Sequence, residues 1–172
     1  MTSIALLVGT TACSNDNPPE ETPSSEQTPA AVDTPSSEVS TVTPTEVISR
    51  LSGAGYTCGR DGDYAICTTG AVAVWVLTGN HTRPPVVSLH SEGSADVAAA
   101  AIGKVLPQAL ELAQVSPAQP MVDWFGEQAD ETAAQTTEGD WQIDWSVEVD
   151  SEEPGAHLSL MDKLCTANCQ AE

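Results

Sequence analysis

Apolar and polar residues alternate most regularly from Trp141 to Val149. Trp141, Ile143, Trp145, Val147 and Val149 share one side, and Gln142, Asp144, Ser146 and Glu148 share the other. A period of two marks a strand with one buried and one polar face. Ala156–Met161 repeats it, with Ala156, Leu158 and Leu160 inward. Ala71–Leu77 is apolar on both sides, as an interior strand is. Val86–His90 and, more weakly, Glu131–Thr137 also read as strands. Tyr56–Arg60 and Tyr64–Thr68 flank Asp61-Gly62-Asp63 and predict a hairpin.

Helical spacing fills the gaps. Thr43, Pro44 and Glu46 form a capping-box pattern with proline at the first helical position. Val47, Ile48 and Leu51 then share a face, and Gly53 and Gly55 end the helix. Ser94 is expected to cap an alanine-rich helix through Leu106. Pro107 is expected to kink or restart it, with apolar residues continuing to Val115. Met121–Ala129 predicts a third helix. The fold class is therefore α+β, a mainly antiparallel sheet of six or seven strands with helices packed on one face. Gly62-Asp63-Tyr64-Ala65-Ile66 resembles Gly139-Asp140-Trp141-Gln142-Ile143, and a proline-started apolar helix precedes each. This reads either as a duplicated α-β-β-β unit or as convergent turn chemistry.

Ahead of Thr43 the periodicity disappears. Residues 14–43 hold no aromatic residue, and Thr-Pro-Ser-Ser-Glu occurs at 22–26 and again at 34–38. Such a segment has too little apolar surface to offset its ordering entropy and reads as a disordered spacer. Residues 44–172 are enough for one domain that buries about two thirds of its surface. The chain carries 25 acidic against five basic residues, a net of −20; within 44–172 the balance is nineteen against five, a net of −14. That field repels nucleic acid and anionic headgroups. It suits a cationic ligand, a basic envelope protein, or solubility alone.

The run Leu6-Leu7-Val8-Gly9-Thr10-Thr11-Ala12-Cys13, followed at once by polar, proline-rich sequence, resembles the cleavage and lipidation site of bacterial lipoproteins. The resemblance covers residues 1–13. It implies that residues 1–12 are a cleaved signal peptide and that Cys13 carries lipid. Residues 13–43 would then be a membrane-anchored linker, and 44–172 a domain on the extracytoplasmic side of the cell membrane. Two or three acyl chains, at about 0.8 kcal/mol per buried CH₂, hold such a protein stably. The apolar run is itself far shorter than the roughly 20 residues of a spanning helix.

With Cys13 acylated, Cys58, Cys67, Cys165 and Cys169 remain, and an even number in an exported chain reads as two disulfides. Three connectivities exist. The local pairs are favoured, since the hairpin sets Cys58 opposite Cys67. The same four thiols could form a metal site, but the disulfide reading is stronger, and no metal or cofactor is expected. His81, His90 and His157 lack zinc-type spacing. His90 and His157 lie on strands and could meet a carboxylate such as Asp144. Ser94 lacks the second glycine of a nucleophile turn, and no catalytic residue is assigned. Trp75, Trp124, Trp141 and Trp145 are read first as core. Asp144 and Glu148, on the polar side of the 141–149 strand, are the candidate binding residues for a cationic partner. The function expected is a lipid-anchored envelope protein with a binding or interaction domain; an envelope hydrolase and a passive structural lipoprotein are the alternatives.

Overall fold

The computed structural model describes residues 41–148 and 154–170. Cys13, the leader, the spacer as far as residue 40, and Val149 lie outside the described residues. Ten elements follow in order: α1 (Pro44–Gly53), β1 (Thr57–Asp61), β2 (Tyr64–Thr69), β3 (Val72–Leu77), β4 (Val86–Glu92), α2 (Ala95–Ala113), α3 (Ala118–Gln128), β5 (Ala133–Glu138), β6 (Trp141–Glu148) and β7 (Gly155–Asp162).

The strands form a single seven-stranded antiparallel sheet in the order β1-β2-β3-β4-β7-β6-β5. The expected α+β class holds. β1-β2-β3 and β5-β6-β7 are three-stranded meanders, each preceded by a helix, and β4 lies between them. Their first hairpins turn on the same pair of residues. Gly62 has φ +55° and Gly139 φ +58°, while Asp63 and Asp140 keep negative φ. Glycine at the first central position is the signature of a type II′ turn, whose twist matches the flanking strands.

α1 starts as its sequence requires. The Thr43 backbone N–H donates to Glu46 Oε2 at 2.8 Å, and the Glu46 N–H donates back to Thr43 Oγ1 at 3.3 Å. Pro44 occupies the first turn. All three helices pack on one face of the sheet, α1 on β1–β3, α2 on β4 and β7, α3 on β5. The core lies between the layers. Val74, Leu89, Leu158 and Ile143 face it from the strands, and Ile102, Leu106 and Leu110 from α2. Trp141 and Trp145 are core, as expected; Trp145 meets Phe125 edge to face at 5.0 Å and donates its indole N–H to Glu131 O at 2.9 Å.

Two expectations about α2 hold only in part. Pro107 does not restart the helix, which runs unbroken from Ala95 to Ala113. Burial of Ile102, Leu106, Ala109 and Leu110 along one stripe outweighs the roughly 3 kcal/mol cost of an interior proline. Ser94 occupies the N-cap position but its side chain makes no cap bond. Its hydroxyl donates to Asp96 Oδ1 at 2.6 Å, and the Asp96 carboxylate itself takes the Val97 backbone N–H that a capping oxygen would have served. Element ends otherwise shift by a few residues: α3 begins at Ala118 and β5 runs from Ala133 to Glu138.

The ends of three elements are tied by Arg83, in the β3–β4 connection. Its guanidinium donates twice to Asp162 at the end of β7 and lies 3.6 Å from Asp140 in the β5–β6 turn. It also sits over the Trp141 ring, 5.0 Å from the centroid. Asp162 accepts a further bond from the Leu164 N–H at 2.7 Å. Cys58 and Cys67 are register partners in the β1–β2 hairpin and are joined by a disulfide, Cα–Cα 4.0 Å; Cys165 and Cys169 form the second, Cα–Cα 5.8 Å. These are the local pairs. Among the described residues no helix is long and apolar enough to cross a membrane.

Candidate functional site

With the helices on one side, the other face of the sheet is left without a described helix over it. Strand alternation sends Tyr64, Ile66 and Thr68 of β2 to this face, with Ala73 and Trp75 of β3. Ser88, His90 and Glu92 of β4 join them, as do Gly155, His157, Ser159 and Met161 of β7 and Gln142, Asp144, Ser146 and Glu148 of β6.

A row of rings crosses the middle of this face. Tyr64 meets Trp75 edge to face at 5.6 Å, Trp75 lies 4.6 Å from His90, and His90 stacks on His157 at 4.1 Å with 18° between planes. The stack follows from the register: His90 pairs directly with His157 across β4 and β7. Burial, and then the neighbouring His157, push the His90 imidazole down to about 4. Burial also lowers His157, against the opposing pull of Glu148 and Asp144. Both rings are therefore neutral at pH 7. Ser88 Oγ lies 3.3 Å from His90 Nε2. Trp75 Nε1 and His157 Nε2 are buried with no hydrogen-bond partner. Each such group costs about 1–3 kcal/mol.

The row ends in a cleft of about 570 Å³ whose lining includes Trp75, His90, His157, Glu92 and Glu148. Glu92 and Glu148 both register with Gly155, one on each side of β7. Two strand spacings, about 9.5 Å, thus separate their backbones, and the residue between them has no side chain. Gly155 is fixed there by a close approach: a Cβ would lie 2.6 Å from the Ser91 carbonyl oxygen. A second hollow of about 460 Å³, between α1 and the β1–β2 hairpin, is lined by Ile48, Cys58 and Arg60 among others. Arg60 is already bonded there to Thr78 Oγ1 at 2.8 Å. The ring row and its cleft form the candidate site.

The two binding residues expected from sequence differ in their surroundings. Asp144 is held by its neighbours, accepting from the amides of Gln135 and of Gln142, the latter at 2.9 Å. Glu148 is exposed on the rim of the cleft. Sequence reasoning missed Trp75 as a surface residue, because its strand looks apolar on both sides; it is half-buried on the uncovered face. It also missed the His90–His157 pair and Glu92. Their alternation was visible, but the pairing of β4 with β7, distant in sequence, was not. His81 lies in the β3–β4 connection, away from this row. Among the described residues no group of three or more His, Cys, Asp or Glu side chains could hold a metal ion.

Comparison with protein-family models, with curated proteins and with solved structures finds no match to this chain.

Proposed function

We propose that the chain is a cell-envelope lipoprotein, anchored in the cell membrane through lipid on Cys13, whose extracytoplasmic domain binds a partner on the uncovered sheet face. Recognition is non-covalent. The observation that carries this reading is the row Tyr64–Trp75–His90–His157, left uncovered by the helix layer and bearing two buried, unpaired polar atoms. Large rings with a polar edge are favoured anchors at interfaces. The layout at Leu6–Cys13 supports the anchor, and two disulfides suit an oxidising compartment.

Two measurements test the proposal. Cys13→Ala should move the protein from the membrane fraction to the soluble or secreted fraction; membrane retention of that variant, with no lipid mass on the wild type, refutes the anchor. A photo-crosslinking amino acid in place of Ser159, in the centre of the face, should trap a discrete partner in cells. The same probe in place of Glu127, exposed on α3, should not. Equal yields from both positions remove the sheet face as the binding surface.

A further inference from the structure

We propose that the partner of this face is a basic protein segment. Its lysine or arginine heads would sit between Glu92 and Glu148, and its side-chain stems would lie against Trp75. This rests on the binding reading above and adds the chemistry of the partner.

Charge is the first ground. The chain holds five basic residues: Arg50, Arg60, Arg83, Lys104 and Lys163. None of them is on the uncovered face. Arg50 and Lys104 are on α1 and α2, and Arg83 and Lys163 lie outside the strands. Arg60 registers with Ala65, which belongs to the buried helix side. The charged residues that alternation sends to the uncovered face are Asp61, Glu92, Asp144 and Glu148, all acidic. The two central imidazoles are neutral at pH 7 and add no positive charge to offset them. Complementary fields of this kind steer association and reject partners of the wrong sign.

The other occupants fail on the same ground. The chain's own N-terminal segment has no Lys or Arg before Arg50, and residues 14–43 carry six acids. A second copy would bring an identical acidic face. Nucleic acid and anionic headgroups are repelled. A basic segment fits both halves of the surface: its cationic heads match Glu92 and Glu148, and its aliphatic stems match Trp75. A free polyamine has no side chains to divide between the two carboxylates and the Trp75 ring.

The experiment uses the full chain in detergent micelles, with fluorescein-labelled decalysine as probe and anisotropy as readout. Glu92→Gln with Glu148→Gln removes two exposed charges from the face; Glu111→Gln with Glu127→Gln removes two exposed charges from the helix side. The face variant should bind decalysine about fivefold more weakly, and the helix-side variant within twofold of wild type. Trp75→Ala should also weaken binding, and spermine should compete poorly against the peptide. Equal loss from both charge variants means that the net charge alone attracts the probe and overturns the proposal. So does spermine competing as well as decalysine. Crosslinking through position 159 combined with either of those outcomes leaves the binding face standing and removes only the basic partner.

Discussion

Removing the charge of Asp162 should destabilise the domain more than removing any exposed carboxylate. Asp162 and Arg83 have side chains only 5% and 12% exposed. Asp162→Asn keeps the shape and the acceptor for the Leu164 N–H, but it leaves the guanidinium buried with only the more distant Asp140 carboxylate to face. Breaking a buried pair from one side costs about 3–5 kcal/mol. The remaining Asp140 contact and the Trp141 ring place this case near 3 kcal/mol, the low end of that range. For a domain of this size that corresponds to a fall in Tm of roughly 10 °C. Arg83→Met should cost a similar amount, by stranding Asp162. The double variant should cost about 2 kcal/mol less than the sum of the two, since a buried pair and an apolar replacement are often close in stability. Thermal and urea melts of the four proteins measure the coupling. Additivity within about 0.5 kcal/mol would show that the two side chains do not stabilise the fold as a pair.

Three more outcomes are expected. His90 and His157 are both lowered by burial, so they favour the folded state fully above their unfolded value near 6.5 and progressively less as pH falls toward about 4 for His90; His90→Gln should flatten the loss of Tm between those limits, and an unchanged slope counts against the buried neutral pair. Peptide mapping without reductant should recover Cys58 with Cys67 and Cys165 with Cys169, at sequence separations of 9 and 4. Reduction should lower stability by roughly 2–3 kcal/mol per bridge, leaving a folded domain; a peptide linking the two regions, or unfolding on reduction at 25 °C, contradicts this. Gly155→Ala forces a Cβ against the Ser91 carbonyl and should destabilise by about 1–3 kcal/mol, whereas Gly126→Ala, where a Cβ meets nothing within 4 Å, should be neutral or stabilising in a thermal melt.

The parts of the fold legible in sequence were those set by neighbours in the chain. The Thr43–Glu46 capping box is written in four consecutive residues. The Cys58–Cys67 register follows from a two-residue turn, and the faces of β6 follow from strict alternation. Ser94 stands at the N-cap but misled as to its bond, because the Asp96 carboxylate, two residues on, takes the Val97 N–H in its place. Pro107 does not restart its helix because tertiary burial outweighs a local penalty. The candidate site was the least legible. His90 and Trp75 are linked by a hairpin-like pairing of β3 and β4, but His157 arrives from the far meander. No local signal joins 90 to 157; only the sheet order does. The acidic side of β6 was correctly placed on the polar face, yet which of its carboxylates is available depended on Gln135, a residue of the next strand.

Because β4 lies between the two meanders, the first strand of each, β1 and β5, becomes an edge of the sheet. β5 reads Ala-Ala-Gln-Thr-Thr-Glu, with no proline or lysine to discourage another strand from adding to it. On the anchor proposed above, copies side by side on one membrane would meet at high local density. The overall acidity of the chain, a net of −20, opposes such pairing, since its repulsion reaches about 8 Å at physiological salt and strands must approach to less than 5 Å to pair. That barrier falls away as the pH nears the isoelectric point set by the composition, about 4.1. The acidity therefore also acts as a colloidal safeguard, and an acidified surface is where sheet-to-sheet clustering would begin.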